Sequence, residues 1–395
     1  MSMTKSGLFV RSAVIVLMVT AGACTPPSGG GTTTTTTTTL PPGAGVCAQL
    51  QQATAGSTFT LDPGTYVLDG DPATAGEQRC VVSGAARSGV TVRAASTGTV
   101  TLLGALQCRG CDGWAFDKVG VAGIGADGGE GVVQMIGGTG WSWTDCSVTQ
   151  FVGDYVDSSG ATRTIPTRSG SYGLFNVGVA WTTPSVEFAP SGFPKDWRVG
   201  DCTITGNGLY AGHDANQDHA VYAATSNPWG YSTNGVVEDS RVGDTAGGSP
   251  IKIGFGNSNG SNGGTVGMTV RRTVVSGGHS SDGVCGILVA GKSSHTLLQD
   301  NDITCPGDAI GTRQGIWFGS WPEDGIDAVV DSNRVHGASN PGGNTVCGVP
   351  STPPPTPDFA IAGQQHTLLF GDHWLYLPLT GCSTLGITLT NNTSD

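Results

Sequence analysis

Charge is scarce in this chain. Only 12% of its 395 residues are Asp, Glu, Lys or Arg, about half of the ~25% usual in soluble domains. That scarcity excludes a coiled coil or a helical bundle, whose surfaces are built from Glu, Lys and Arg. Basic residues are the scarcer sign: 18 Lys and Arg stand against 30 Asp and Glu, a formal charge of −12. No nucleic-acid partner is expected of so acidic a chain, because the phosphate backbone selects a basic face. The apolar stretch near the start, Ala13 to Thr20, is too short to span a bilayer. Paired Cys-x-x-Cys clusters are missing, and Cys108-Arg109-Gly110-Cys111 stands alone, which argues against a structural zinc site.

Glycine and proline are abundant instead, 65 and 21 residues, about a fifth of the chain against a norm of roughly an eighth. Apolar residues, many of them β-branched, recur throughout in short runs, so most of the chain can bury a core. The composition predicts an all-β protein with many turns. The length would hold two or three average domains, but repetitive β folds run long as one unit.

Lys5 and Arg11 precede the short apolar stretch as the basic start of an export signal spanning 1–23. The run Ala21-Gly22-Ala23-Cys24 resembles a bacterial lipobox, with Ala21 where Leu is usual. That resemblance implies that Cys24 is lipidated and anchors the protein to the outer face of the cell membrane. The alternative is an ordinary small-residue cleavage site and plain secretion. Residues 24–44, rich in Thr, Pro and Gly with eight consecutive Thr, have no apolar periodicity and read as a tether. Of 11 cysteines, removing Cys24 leaves ten, an even set that in an exported chain reads as up to five disulfides.

An internal repeat organises the rest. One unit has a small residue followed by apolar-x-apolar: Gly131-Val132-Val133-Gln134, Gly173-Leu174-Phe175-Asn176, Ala220-Val221-Tyr222-Ala223, Pro250-Ile251-Lys252-Ile253, Gly286-Ile287-Leu288-Val289 and Gly315-Ile316-Trp317-Phe318. A second unit alternates with it, and its second position reads Cys146, Cys202, Ser240, Thr273, Asn301, Asn333. Short strands alternating with Gly/Asn/Ser loops of variable length predict a stacked β architecture. Small polar residues recurring at one corner satisfy the turn backbone of successive coils in a parallel β-helix.

The opening Thr58-Phe59-Thr60-Leu61-Asp62-Pro63-Gly64-Thr65-Tyr66-Val67-Leu68 resembles the first coil of the pectate-lyase-like right-handed parallel β-helix superfamily. There, a short capping helix precedes such a coil, and Cys47 to Ala53 would be that helix. The resemblance implies an all-β right-handed parallel β-helix over 45–345 with long inserted loops, followed by a C-terminal extension over 346–395. It does not imply one activity, since this fold carries lyases, hydrolases, epimerases and adhesins. Pectate-lyase motifs are incomplete: Gln217-Asp218-His219 keeps only Asp-His, and Arg163-Thr164-Ile165-Pro166-Thr167-Arg168 has its Pro one place late.

Alternation assigns faces to the first unit. Val132, Leu174, Val221, Ile251, Ile287 and Ile316 are expected inside. The next residues, Val133, Phe175, Tyr222, Lys252, Leu288 and Trp317, are expected outside in one ribbon. Phe175, Tyr222 and Trp317 then become candidate sugar-stacking groups, unless loops fold over them. His219, Lys252 and Arg313 are the candidate catalytic groups, since a base, an acid and a cation are what β-elimination on a uronic acid requires. A denser but looser group, His213 with Asp214, and a separate His279 with Asp282, lie in loops. Asp145, Asp201 and Asp239 share a repeat position; stacked, they would suit Ca2+, or each caps its own turn.

Cys146 and Cys202 hold equivalent positions in successive coils, within bridging range, and are expected to be bonded. Cys47–Cys80, Cys108–Cys111, Cys285–Cys305 and Cys347–Cys382 complete the expected set. Two functions remain: a monomeric enzyme acting on an extracellular polysaccharide, lyase-like in fold, or a non-catalytic surface module that binds glycan.

Overall fold

The computed structural model describes residues 36–68, 79–84, 87–123, 131–156, 160–165, 173–178, 193–208, 218–224, 231–254, 264–278, 284–290, 293–306, 314–319, 327–337, 345–346, 349–350, 375–376 and 386–394. Among these residues three long sheets, of eleven, ten and nine strands, run side by side. Every neighbouring pair within them is parallel; Ser142–Thr144, for example, pairs with Ala115–Asp117 on one side and Arg198–Gly200 on the other. The chain visits the sheets in turn. Ser142–Thr144 lies in the eleven-stranded sheet, Ser147–Gln150 in the ten-stranded sheet and Gly173–Val177 in the nine-stranded sheet. Each circuit is one coil, and the protein is a parallel β-helix. The sequence repeat marks two strands per coil; the third, in the eleven-stranded sheet, is often only three residues long.

Strands extend beyond both ends of the span 45–345. Thr37–Leu40, inside the Thr-rich stretch, pairs with Thr58–Leu61 and buries Leu40. At the other end Gly386–Thr390 pairs with Asp327–Asp331. The expected helix is present over Val46–Gln51 and buries Val46, Cys47 and Leu50. It touches the end strand of the nine-stranded sheet, Arg79–Ser83, through the Cys47–Cys80 disulfide and a hydrogen bond from Gln51 Nε2 to the Val81 carbonyl (3.0 Å).

A sharp corner joins the eleven- and ten-stranded sheets. Its first residue is Asp145, Asp201, Asp239, Arg272, Asp300, Ser332 or Asn391 in successive coils, with φ between +48° and +56°. Asp and Asn are among the few L-residues that tolerate this left-handed conformation. The second corner residue forms the polar column read from the sequence. The Cys202 amide donates to Ser240 Oγ (3.1 Å), and the Thr273 amide to Asn301 Oδ1 (3.1 Å). Asn301 donates twice to Asn333 Oδ1 (3.1 and 2.8 Å), and Asn333 twice to Asn392 Oδ1 (2.9 Å each). In these coils the buried corner amide is met by a side chain of the next coil.

Cys146 and Cys202 start this column, with Cα atoms 4.4 Å apart and a disulfide between them. Cys47–Cys80, Cys108–Cys111 and Cys285–Cys305 are also bonded as expected. Cys347 and Cys382 lie outside the described residues.

The core between the sheets is aliphatic along most of its length, but the early coils fill it with aromatics. Phe116 stacks on Trp143 at 4.1 Å and Trp141 on Trp197 at 5.1 Å, while Phe175 meets Trp143 edge-on at 5.6 Å. Such pairs add about 0.5–1.5 kcal/mol each beyond their burial.

Asp145, Asp201 and Asp239 do share one corner position in successive coils, and two of them are met by arginines. Asp239 is held by Arg272 in two hydrogen bonds of 2.7 Å, and Asp201 lies 3.6 Å from Arg198. Among the described residues no group of three or more His, Cys, Asp or Glu is placed to hold a metal ion. Beside them the buried Glu238 accepts from Arg198 (2.5 Å), Arg271 (2.6 Å) and Arg272 (2.9 Å). Burial alone would raise the Glu238 pKa, but hydrogen bonds from Arg198 and Arg271 outweigh it and hold it below the usual value. A depressed carboxylate stabilises the fold above its unfolded pKa, and that stability is lost as pH falls through the folded one. Glu238→Gln is therefore expected to cost about 2 kcal/mol at neutral pH. It should also flatten the acid limb of the stability profile, read by urea unfolding at a series of pH values.

Candidate functional site

The outer face of the nine-stranded sheet carries the candidate residues, in a register that differs from the sequence reading in its first two coils. Val133 pairs with Phe175, and Phe175 with Val221, so both belong to the inward column. Phe175 is fully buried and packs against Trp141 and Trp143. The outward column is Gln107, Gln134, Asn176, Tyr222, Lys252, Leu288 and Trp317. Val132 and Leu174, expected inside, are also fully buried in the same core, so both residues of each apolar step are inward here.

This column is not an open aromatic ribbon. Tyr222 is fully buried, and Lys252 is only 9% exposed. Trp317 is half-buried and packs against the apolar cluster of Val284, Leu288 and Ala290. Phe175 and Tyr222 are therefore not sugar-stacking platforms in this conformation.

What the column does hold is a compact polar cluster. The amides of Ala220 and Val221 both donate to the Pro250 carbonyl (3.0 and 2.9 Å). Two consecutive donors to one acceptor mark a local bulge, which breaks strict alternation and re-aims the neighbouring side chain. The His219 ring thus meets the Tyr222 ring at 5.2 Å, tilted by 60°. Lys252, on the next coil, places Nζ 4.9 Å from the Tyr222 ring centroid, a cation–π contact.

The His219 tautomer follows from its partners. Nδ1 lies 2.8 Å from the Ser249 carbonyl oxygen, which can only accept. Nδ1 therefore carries the hydrogen, and Nε2 keeps the lone pair. Nε2 is buried with no hydrogen-bond partner among the described residues. Asn207 Nδ2 donates to the His219 carbonyl (2.6 Å) and fixes the strand from the other side. Gly248 leaves room for the ring: a Cβ there would stand 2.7 Å from Nδ1. Burial, and then the charge of Lys252, hold the His219 pKa well below the usual histidine value, with the Ser249 bond opposing them. The imidazole is neutral at physiological pH, and its buried Nε2 is unprotonated.

Asp218 is buried beside it. Arg313, His213, Asp214, His279 and Asp282 lie outside the described residues. Sequence reasoning missed Asn207, Gly248 and Ser249, which serve through backbone and shape and carry no motif. It also missed Gln134 and Asn176, whose places in the outer column were given to Val133 and Phe175, and Gln107, whose coil lies before the first repeat unit read from the sequence.

No family model matches the chain, and no curated protein matches it. Among solved structures, an alginate lyase from Paenibacillus sp. str. FPU-7 is 15% identical, over 76% of this chain and 87% of that one, with a TM-score of 0.49. The A-module of the Azotobacter vinelandii mannuronan C-5 epimerase AlgE6 is 12% identical over 86% and 90%, with a TM-score of 0.39. A PL6 alginate lyase in complex with a trisaccharide is 11% identical over 91% and 85%, with a TM-score of 0.36.

Proposed function

We propose that this chain is an exported, lipid-anchored β-helix protein that binds an extracellular acidic polysaccharide and cleaves it by β-elimination at the His219, Tyr222 and Lys252 cluster. The observation that carries the reading is the neutral His219 with its Nδ1 hydrogen committed to Ser249 and its Nε2 lone pair beside a tyrosine and a lysine. In that chemistry Nε2 takes the proton from the carbon next to the carboxylate. The electron pair forms the C4–C5 double bond, the C4–O bond breaks, and the leaving oxygen takes a proton from the Tyr222 hydroxyl. Lys252 offsets the negative charge that gathers on the carboxylate. Because Tyr222 and His219 are buried, substrate reaches them only when the covering of this face opens.

That same burial favours a second reading, a surface glycan-binding module in which the cluster only braces adjacent coils. Incubation with a panel of uronate polysaccharides, read by the ultraviolet absorbance of the unsaturated product, separates the two. Appearance of that product supports the enzyme; binding without product supports the module.

The anchor has its own test. Cys24→Ser is expected to move the protein from the membrane fraction to the medium, followed by fractionation and immunoblotting. A variant that remains on membranes, or a wild-type protein found free in the medium, excludes lipidation at Cys24. No helix among the described residues is long and apolar enough to cross a membrane.

A further inference from the structure

Consecutive carbonyls in one loop set the surroundings of His219. Arg241–Thr245 belongs to the ten-stranded sheet and Ile251–Ile253 to the nine-stranded sheet, so residues 246–250 form the corner between them. The Gly248 carbonyl accepts from Thr245 Oγ1 (2.6 Å), and the Ser249 carbonyl lies 2.8 Å from His219 Nδ1. The Pro250 carbonyl takes the amides of Ala220 and Val221 (3.0 and 2.9 Å). The loop therefore reaches the preceding coil twice, at a ring nitrogen and at the backbone beside that ring. The Ala246 amide, donating to the Asn207 carbonyl (2.9 Å), ties the start of the loop to the same coil.

Thr245 is fully buried, and its bond to Gly248 closes the loop on itself. It restrains Gly247-Gly248, the residues with the most backbone freedom. Beyond them Pro250 fixes its own φ and confines Ser249 to extended conformations. With the Gly248–Ser249 peptide plane held by Thr245, the Ser249 carbonyl is left pointing at the ring. Ser249 also offers Nδ1 a second atom of different character, its Oγ at 3.3 Å. The carbonyl can only accept, so it selects the ring with hydrogen on Nδ1. The hydroxyl can also donate, so it tolerates the tautomer with hydrogen on Nε2. In that second tautomer Nε2 has no lone pair to offer.

We propose that Thr245 is a positioning residue for His219: by holding the Gly248 carbonyl it aims the Ser249 carbonyl at Nδ1 and keeps the lone pair on Nε2. Its effect on turnover rests on the β-elimination reading; the clamp on the tautomer does not. When Nε2 takes a proton, Nδ1–H stays on the Ser249 carbonyl, and the charge on the ring strengthens that bond.

NMR of the imidazole nitrogens in the full chain tests this, with the His219 signals identified by their loss in His219→Gln. The wild type is expected to show the Nδ1–H tautomer alone at neutral pH. Thr245→Val keeps the shape of the side chain but removes the hydroxyl, and should give a mixture of both tautomers. Thr245→Ser keeps the hydroxyl and should restore the wild-type spectrum. Turnover of a uronate polysaccharide should fall about tenfold in kcat for Thr245→Val, with little change in KM, and recover in Thr245→Ser. Ser249→Ala keeps the carbonyl and should leave the tautomer as it is.

A wild-type ring with its hydrogen on Nε2 overturns the clamp before any variant is made. A folded Thr245→Val that keeps the wild-type tautomer overturns it, and so does a mixture in Thr245→Ser. A switch to Nε2–H in Ser249→Ala means that the hydroxyl held the ring, and has the same consequence. Mixed tautomers with unchanged kcat overturn the positioning role. The expected tautomers with no polysaccharide turned over uphold the clamp and remove the β-elimination reading alone.

Discussion

Phe175→Ala is expected to destabilise the protein by about 3–5 kcal/mol, the cost of removing a large aromatic from a closed core. The ring is fully buried, edge-on to Trp143 and tilted against Trp141, so truncation leaves a void that the stacked Phe116–Trp143 and Trp141–Trp197 pairs resist filling. A loss of that size is a large part of the 5–15 kcal/mol that holds a typical domain folded. Chemical denaturation with matched m-values checks it. The experiment also decides the register. A Phe175 on the solvent side would change stability by no more than about 0.5 kcal/mol on truncation, and such a result would return the residue to the outer ribbon.

His219→Ala is expected to lower turnover of an acidic polysaccharide by 10²–10⁴-fold, the usual contribution of a positioned base, with a smaller change in KM. His219→Gln separates chemistry from packing, since it keeps most of the side-chain volume but has no titrating nitrogen. A stability signature accompanies the loss. In the folded protein His219 resists protonation, whereas in the unfolded chain it titrates normally. Below the ordinary histidine pKa of about 6.5 the unfolded state binds the extra proton, so the stability of the wild type falls as pH drops through that range. His219→Gln should lose this slope. Unchanged turnover in both variants removes His219 from the chemistry, whatever the stability data show.

The fold was legible because the polar corner residues recur. Cys146, Cys202, Ser240, Thr273, Asn301 and Asn333 occupy one column in the structure as they do in the repeat, and the Cys146–Cys202 bridge follows from that. The candidate site was legible in part. His219, Tyr222 and Lys252 do come together, as their repeat positions imply. Three things were hidden. Strand alternation assigns only one of two adjacent apolar residues to the core, whereas Leu174 and Phe175 are both buried in it. Burial of an outward-facing Tyr222 depends on what covers the sheet, and strand alternation is silent on that. The bulge at Ala220 and Val221, which brings His219 beside Tyr222, leaves no trace in hydrophobic pattern because it is set by the Pro250 carbonyl one coil away.

The spacing of the disulfides divides the solenoid mechanically. Cys47–Cys80, Cys108–Cys111 and Cys146–Cys202 staple the early coils, and Cys285–Cys305 ties a later one. No cysteine lies between 202 and 285, and that interval contains both His219 and Lys252. In a stacked repeat each coil is held chiefly by its two neighbours, and local opening draws on the least secured stretch first. The coils that carry the candidate chemistry can therefore breathe without a covalent bond being broken, and a reducing environment that slackens the stapled coils leaves the freedom of this interval as it was.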